Sequence, residues 1–163
     1  MKRPYGMALP AFQAFIRACT EAGISPTRVT QTIGNAPASA GFHAPDGVLN
    51  SERYCAAVDL HTRDLNRTQI KKLLNAMAKQ GFAAWYRFEG SFANNQHLHA
   101  VYAALPMKRQ LRAQVVDFLN DRTGLAGHAH ETFYTAPRDI DIVIQAMFLH
   151  ANPVAGKALA TTS

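Results

Sequence analysis

The stretch "NNQHLHAVYAAL", residues 94–105, sets His97 and His99 two apart at the head of an apolar run. Side chains alternate across a strand, so both imidazoles and Val101 share one face, with Leu98, Ala100 and Tyr102 on the other. Asp59 ends a second apolar run, "YCAAVDL". A carboxylate there is costly to bury unless it is paired or bound to a metal. His43 lies in the loop stretch "SAGFHAPDG". Two imidazoles and one carboxylate are donors of the kind that hold a catalytic zinc ion, which takes three protein ligands and leaves a fourth position for water.

The elements that must position these residues are legible from periodicity. Phe12, Phe15, Ile16 and Cys19 recur at helical spacing before Gly23, which predicts an amphipathic helix with a glycine stop. The β-branched "RVTQTI", residues 28–33, reads as a short strand, and "GNAPASAG" as loop. "YCAAVDL", residues 54–60, reads as a buried strand. Ile70, Leu73, Leu74 and Met77 predict a second helix, capped by Asn66 or Thr68 and ended by Gly81. "FAAWYRF" and "HLHAVYAAL" read as strands around the loop "EGSFANNQ". Pro106 opens a helix carrying Leu111, Val115, Phe118 and Leu119 that stops near Gly124. A last helix carries Ile140, Val143, Ile144, Met147 and Phe148, and the tail after Pro153 is expected to fray. Helices and antiparallel strands without a βαβ rhythm give an α+β class, a small antiparallel sheet flanked by helices. The chain is read as one domain over residues 1–163, with a helical extension from about residue 124.

Composition bounds the function classes. Length and apolar content suit a globular chain with a real core. No apolar run reaches the ~18 residues that span a bilayer, so no stable membrane insertion is expected. Lys and Arg outnumber Asp and Glu by 17 to 11, which favours anionic partners. The basic residues are scattered, without a recognition motif or interleaved aromatics, so no nucleic-acid partner is expected. Cys19 and Cys55 match no CxxC pattern and read as buried free thiols.

The sequence resembles the zinc D-alanyl-D-alanine carboxypeptidases, a family that includes the vancomycin-resistance dipeptidases and phage endolysins cutting between L-alanine and D-glutamate. The hedgehog signalling domain shares its fold. The family pattern runs roughly SxHxxGxAxD, then a helix, then a strand pair whose last strand carries a second His. "SAGFHAPDG", "YCAAVDL", "NRTQIKKLLNAMAKQGFAAWYRF" and "HLHAVYAAL" follow that order over about residues 10–105. The "AVD" triplet and the terminal HxH carry most of the likeness. The resemblance implies a hedgehog/DD-peptidase-like fold, zinc ligands His43, Asp59 and His99, and a metallopeptidase acting on the peptidoglycan stem peptide. It also implies action on the cell wall after release or secretion, since the N-terminus "MKRPYGMALPAFQAF" has no apolar signal core and the product is expected to be made in the cytoplasm.

The chain departs from that pattern in three places. His43 and Asp59 stand sixteen apart where the family has seven. The excess reads as a hairpin insertion, "DGVLNSERY", turning at Asp46-Gly47, and strict spacing selects Glu52 as a rival ligand. Gln96 occupies the position of the acidic residue that many members place three before the last His, and an amide cannot take up a proton at neutral pH. Glu89 is then the expected general base, with His97 as acid, base or oxyanion donor. The arginine often found upstream in the family has Arg28 as its nearest candidate. His61 either orients Asp59 or faces solvent. "HAHE", residues 128–131, offers a rival metal site or Glu131 as base. Trp85 and Tyr86 read as core or groove wall. Two other readings are open: a zinc-containing cell-wall-binding module without turnover, and a basic nucleic-acid-binding protein that holds no stoichiometric zinc.

Overall fold

A computed structural model describes residues 1–34, 37–39 and 41–160. Part of the "GNAPASAG" loop and the last three residues of the tail lie outside them.

Helix α1 spans Leu9–Ala22 and ends at Gly23, whose left-handed φ of 67° closes the C-cap. Of the stripe its periodicity marked, it buries Phe15 and Cys19, while Phe12 and Ile16 are half-buried and the small residues Ala14 and Ala18 complete the buried face. Helix α2, Arg67–Lys79, starts at a complete capping box in which Asn66 and Gln69 each bond the other's backbone N–H. α1 and α2 pack against each other, and α2 also packs on β5, Phe82–Arg87.

The sheet is fully antiparallel between neighbours, in the order β1-β4-β6-β5, where β1 is Val29–Gln31, β4 Ala57–His61 and β6 His97–Tyr102. β4 and β5 therefore run parallel on either side of β6, joined by α2. The opposite face of the site carries Leu60, Leu98 and Ala100, each without exposed surface. At ~25 cal/mol per Å² such burial supplies the main favourable contribution to folding. Helices α3, Arg109–Leu119, and α4, Arg138–Ala151, complete the domain, followed by a short helix α5, Gly156–Ala160, in the segment expected to fray. The α+β class is as the sequence indicates.

The insertion between His43 and Asp59 is a hairpin of β2, Gly47–Leu49, and β3, Glu52–Tyr54. Its turn is not at Asp46-Gly47. It falls at Asn50-Ser51, where φ is 51° and 65°, the positive pair that a two-residue hairpin turn of matching twist requires. Asp46 instead accepts from Ala56 N at 2.7 Å and from Lys108 N and Nζ at 2.7 and 2.8 Å. The "YCAAVDL" run is accordingly split: Tyr54 ends β3, and β4 begins at Ala57.

Candidate metal centre

Strand register places the first two members of the site. Asp59 on β4 is the direct partner of His99 on β6, and Trp85 on β5 is its partner on the other side. One step along, His61, His97 and Arg87 form the next row of the same face. His97 and His99 thus share a face, and both line a cavity of about 450 Å³ that also includes Asp59, His43, Arg87 and Gln114. That size lies within the usual range for small-ligand sites.

His43 reaches the strands from its loop because that loop is tied down. Gly34 N donates to His43 O at 2.9 Å, and Lys108 Nζ donates to Phe42 O at 3.1 Å. His43 Nε2 lies 3.1 Å from Asp59 Oδ2, and His99 Nδ1 lies 2.8 Å from Asp59 Oδ1. One ligand atom from each of the three falls within 4.8 Å of the others. Tetrahedral zinc bonds of ~2.0–2.2 Å put donor atoms about 3.4 Å apart, so small adjustments suffice. This buried group can hold a metal ion.

The outer nitrogens decide what the inner ones can do. His43 Nδ1–H donates to Thr32 O at 2.7 Å, leaving Nε2 as a lone pair in the neutral ring. His99 Nε2 faces Gln114 Oε1 at 2.9 Å. The Gln114 amide is oriented by its own Nε2, which donates to Gly124 O at 3.1 Å. A neutral His99 has one N–H, yet both its nitrogens face acceptors, Gln114 Oε1 and Asp59 Oδ1. One of those contacts sets lone pair against lone pair unless a cation, proton or metal, sits at the inner face. A metal ion satisfies both rings at once, and the outer bonds to Thr32 and Gln114 are the kind that fix the tautomer of metal-bound histidine.

Electrostatics point the same way. Burial pulls the His43 imidazole down, but Asp59, with help from Cys55 and Thr32, lifts it to about 10. Burial raises Asp59, but the hydrogen bonds from His43 and His99 outweigh it and hold the carboxyl well below the usual carboxylate range. For His99 burial wins: its pKa is lowered despite Asp59, and Arg87 adds to the lowering. One carboxylate therefore keeps one imidazolium, and a second buried proton is opposed.

Other sequence candidates lie elsewhere. Glu89 is exposed before the 3₁₀ turn Gly90–Phe92 and does not line the cavity. Gln96 is exposed and accepts from Tyr86 Oη at 2.8 Å. Arg28 is buried as a structural tie, donating to Ser25 O, His61 O and both Asp64 oxygens. Glu52 is exposed and pairs with Arg3. His61 stands 3.7 Å from Asp64 rather than bonding Asp59. In "HAHE", His128 Nδ1 bonds Asp117 at 2.7 Å and Glu131 accepts from Phe133 N. His97 remains at the site, with Nδ1–H donating to Asn95 O at 2.7 Å.

Three residues of the site carried no sequence signal: Thr32, Arg87 and Gln114. Arg87 and Gln114 converge with Trp85 on one short segment. Trp85 Nε1 donates to Arg122 O at 2.9 Å, Arg87 Nη1 to Thr123 O at 2.6 Å, and Gln114 Nε2 to Gly124 O. The start of the C-terminal extension therefore forms one wall of the site. Trp85 in turn stacks on His99, with ring centroids 6.2 Å apart.

Fold and site together define an α+β domain with a buried His–Asp–His group able to hold a metal ion at the edge of a cavity. Compared with family models, curated proteins and solved structures, the chain matches none.

Proposed function

We propose that this protein is a zinc metallopeptidase acting on the peptidoglycan stem peptide, with zinc held by His43, Asp59 and His99. The observation that supports it best is the unmet demand for a cation at the inner face of His99, between two acceptors at 2.8 and 2.9 Å. A bound zinc ion supplies Lewis acidity toward a carbonyl and a lowered pKa for water. The chain's own residues would do the rest. Asp59, His43 and His99 fix the geometry; Thr32 and Gln114 hold the two rings in the required tautomer. His97 Nδ1–H donates a hydrogen bond to Asn95 O, which leaves the Nε2 lone pair to accept a proton at the cavity wall, so His97 takes the base role assigned by sequence to Glu89. The net charge of +6 suits an anionic cell wall.

A second reading, a zinc-containing wall-binding module, draws on one feature: among the described residues, Asp59 is the sole carboxylate lining the cavity. Metal analysis of the purified chain, followed by digestion of peptidoglycan with and without chelator, separates the readings. Stoichiometric zinc with chelator-sensitive release of stem-peptide fragments is expected. Zinc with wall binding and no release selects the module, and absence of zinc removes both.

A further inference from the structure

We propose that the protein forms a two-fold dimer in which α4 packs antiparallel on α4 of a second copy. The inference draws on the outward face of α4 and is independent of the peptidase reading.

A helix at the surface of a domain shows one apolar stripe, whereas a helix apolar on both faces is covered on both. α4 buries Ile140, Asp141, Ile144 and Phe148 and packs on α2 and α3. At 3.6 residues per turn, Asp139, Ile142, Val143, Ala146 and His150 fall on the opposite face, within an arc of about 100°. All five are exposed, Ile142 at 55% and Val143 at 52%. The middle of this outward stripe is therefore apolar, with a carboxylate at one end and an imidazole at the other.

The stripe is self-complementary, which selects a second copy as its occupant. In a two-fold interface residue i meets residue j, and j meets i. Asp139 and His150 are centred on the same point of the helix as Val143 and Ala146, midway between Ile144 and Gln145. Antiparallel pairing about that point sets Asp139 against the partner's His150 and Val143 against the partner's Ala146. An imidazole N–H donates to a carboxylate in either protonation state. The small Ala146 side chain lets the two helices approach to about 8 Å between axes, the near end of the usual range. α4 has 14 residues and is about 21 Å long, so the pair supplies the centre of a small interface. A dissociation constant of roughly 10–100 µM follows for an interface of that class.

The test is sedimentation velocity of the full chain in reducing buffer, from about 1 to 500 µM. A monomer–dimer equilibrium with its midpoint in that range is expected. Val143→Glu sets a charge at the centre of the pair and should raise the dissociation constant at least about tenfold, with circular dichroism unchanged. Asp139→Lys and His150→Glu should each weaken the dimer. The double variant should return it to within about threefold of wild type. The two positions lie about 16 Å apart along one helix, and each new charge opposes its own helix dipole. Restoration therefore reports contact between copies. A chain that stays monomeric throughout, a dimer indifferent to Val143→Glu, or a double variant no stronger than the single ones overturns the proposal. So does a monomer that pellets with vesicles of equal phosphatidylglycerol and phosphatidylcholine and is released by Val143→Glu, which assigns the face to a membrane surface. If a charge variant does not fold, Ala146→Glu takes its place beside Val143→Glu, and both must weaken the dimer.

Discussion

At the scale of single residues, the site is built from pairs in which one side chain dictates the proton of another. Gln114 accepts from His99 Nε2 and so leaves Nδ1 free to face Asp59. Replacing it with Leu removes the acceptor and frees the tautomer. Zinc affinity in Gln114→Leu should fall by about 10–100-fold, the usual cost of losing an outer partner, as measured by competition with a chromophoric chelator. His43 gives a pH signature. Its pKa in the metal-free fold is raised to about 10, so below that pH each ion must displace its proton. Apparent zinc affinity should rise about tenfold per unit between pH 7 and 9, and His43→Ala should flatten that slope. The same shift stabilises the metal-free fold: its contribution is complete below the unfolded value near 6.5 and is lost as pH rises toward 10. At this scale the sequence showed His43, Asp59, His97 and His99, because their types and spacing are unusual. It could not show Gln114 or Arg87, which are ordinary residues in a helix and a strand until the fold aims them. Glu89 and Arg28 looked like site residues only in one dimension. Glu89 is exposed after β5 and lies outside the cavity lining, and the Arg28 guanidinium is consumed by Asp64 and two carbonyls.

At the scale of elements, β4, β5 and β6 act as a ruler and the Arg122–Gly124 segment as a clamp. The helices and strands were legible from their patterns: α2 shows its apolar stripe in sequence, with Asn66 one of two cap candidates, and β6 is an apolar run headed by two histidines two apart. The hairpin turn was not, since Asp46-Gly47 has the commoner turn chemistry and only the partners of the buried Asp46 carboxylate, Lys108 and Ala56 N, reveal what it does instead. The clamp carries no periodicity at all. Its tightest point is Gly124, at φ 68°, where an added Cβ would sit 2.9 Å from Trp85 Cζ2. A side chain there must meet both the left-handed backbone and the indole. Gly124→Ala should lower stability by about 1–3 kcal/mol, read by urea unfolding. It should also weaken zinc binding by displacing the carbonyl that orients Gln114. Unchanged zinc affinity in a destabilised variant would show that the clamp serves the fold alone.

At the scale of the whole molecule, the three candidate ligands come from a tied-down loop and two strands, and 56 positions separate His43 from His99. The unfolded chain does not hold them together, so ion binding draws on the folded state and adds to its stability. A ligand at 100 times its dissociation constant adds about 2.7 kcal/mol. For a chain of this length each kcal/mol moves the midpoint by about 2–4 °C. Zinc at that excess should therefore raise the melting temperature of the chelated protein by roughly 5–10 °C, followed by circular dichroism or calorimetry. His99→Ala should abolish the shift, since it removes both a ligand and the ring stacked on Trp85. Glu89→Gln, outside the cavity, should keep it in full. Magnesium should leave the midpoint unmoved, because a site with two imidazoles offers too few oxygens for that ion. A shift of equal size with magnesium, or one that survives His99→Ala, would mean that the stabilising ion binds somewhere other than between the loop and the two strands.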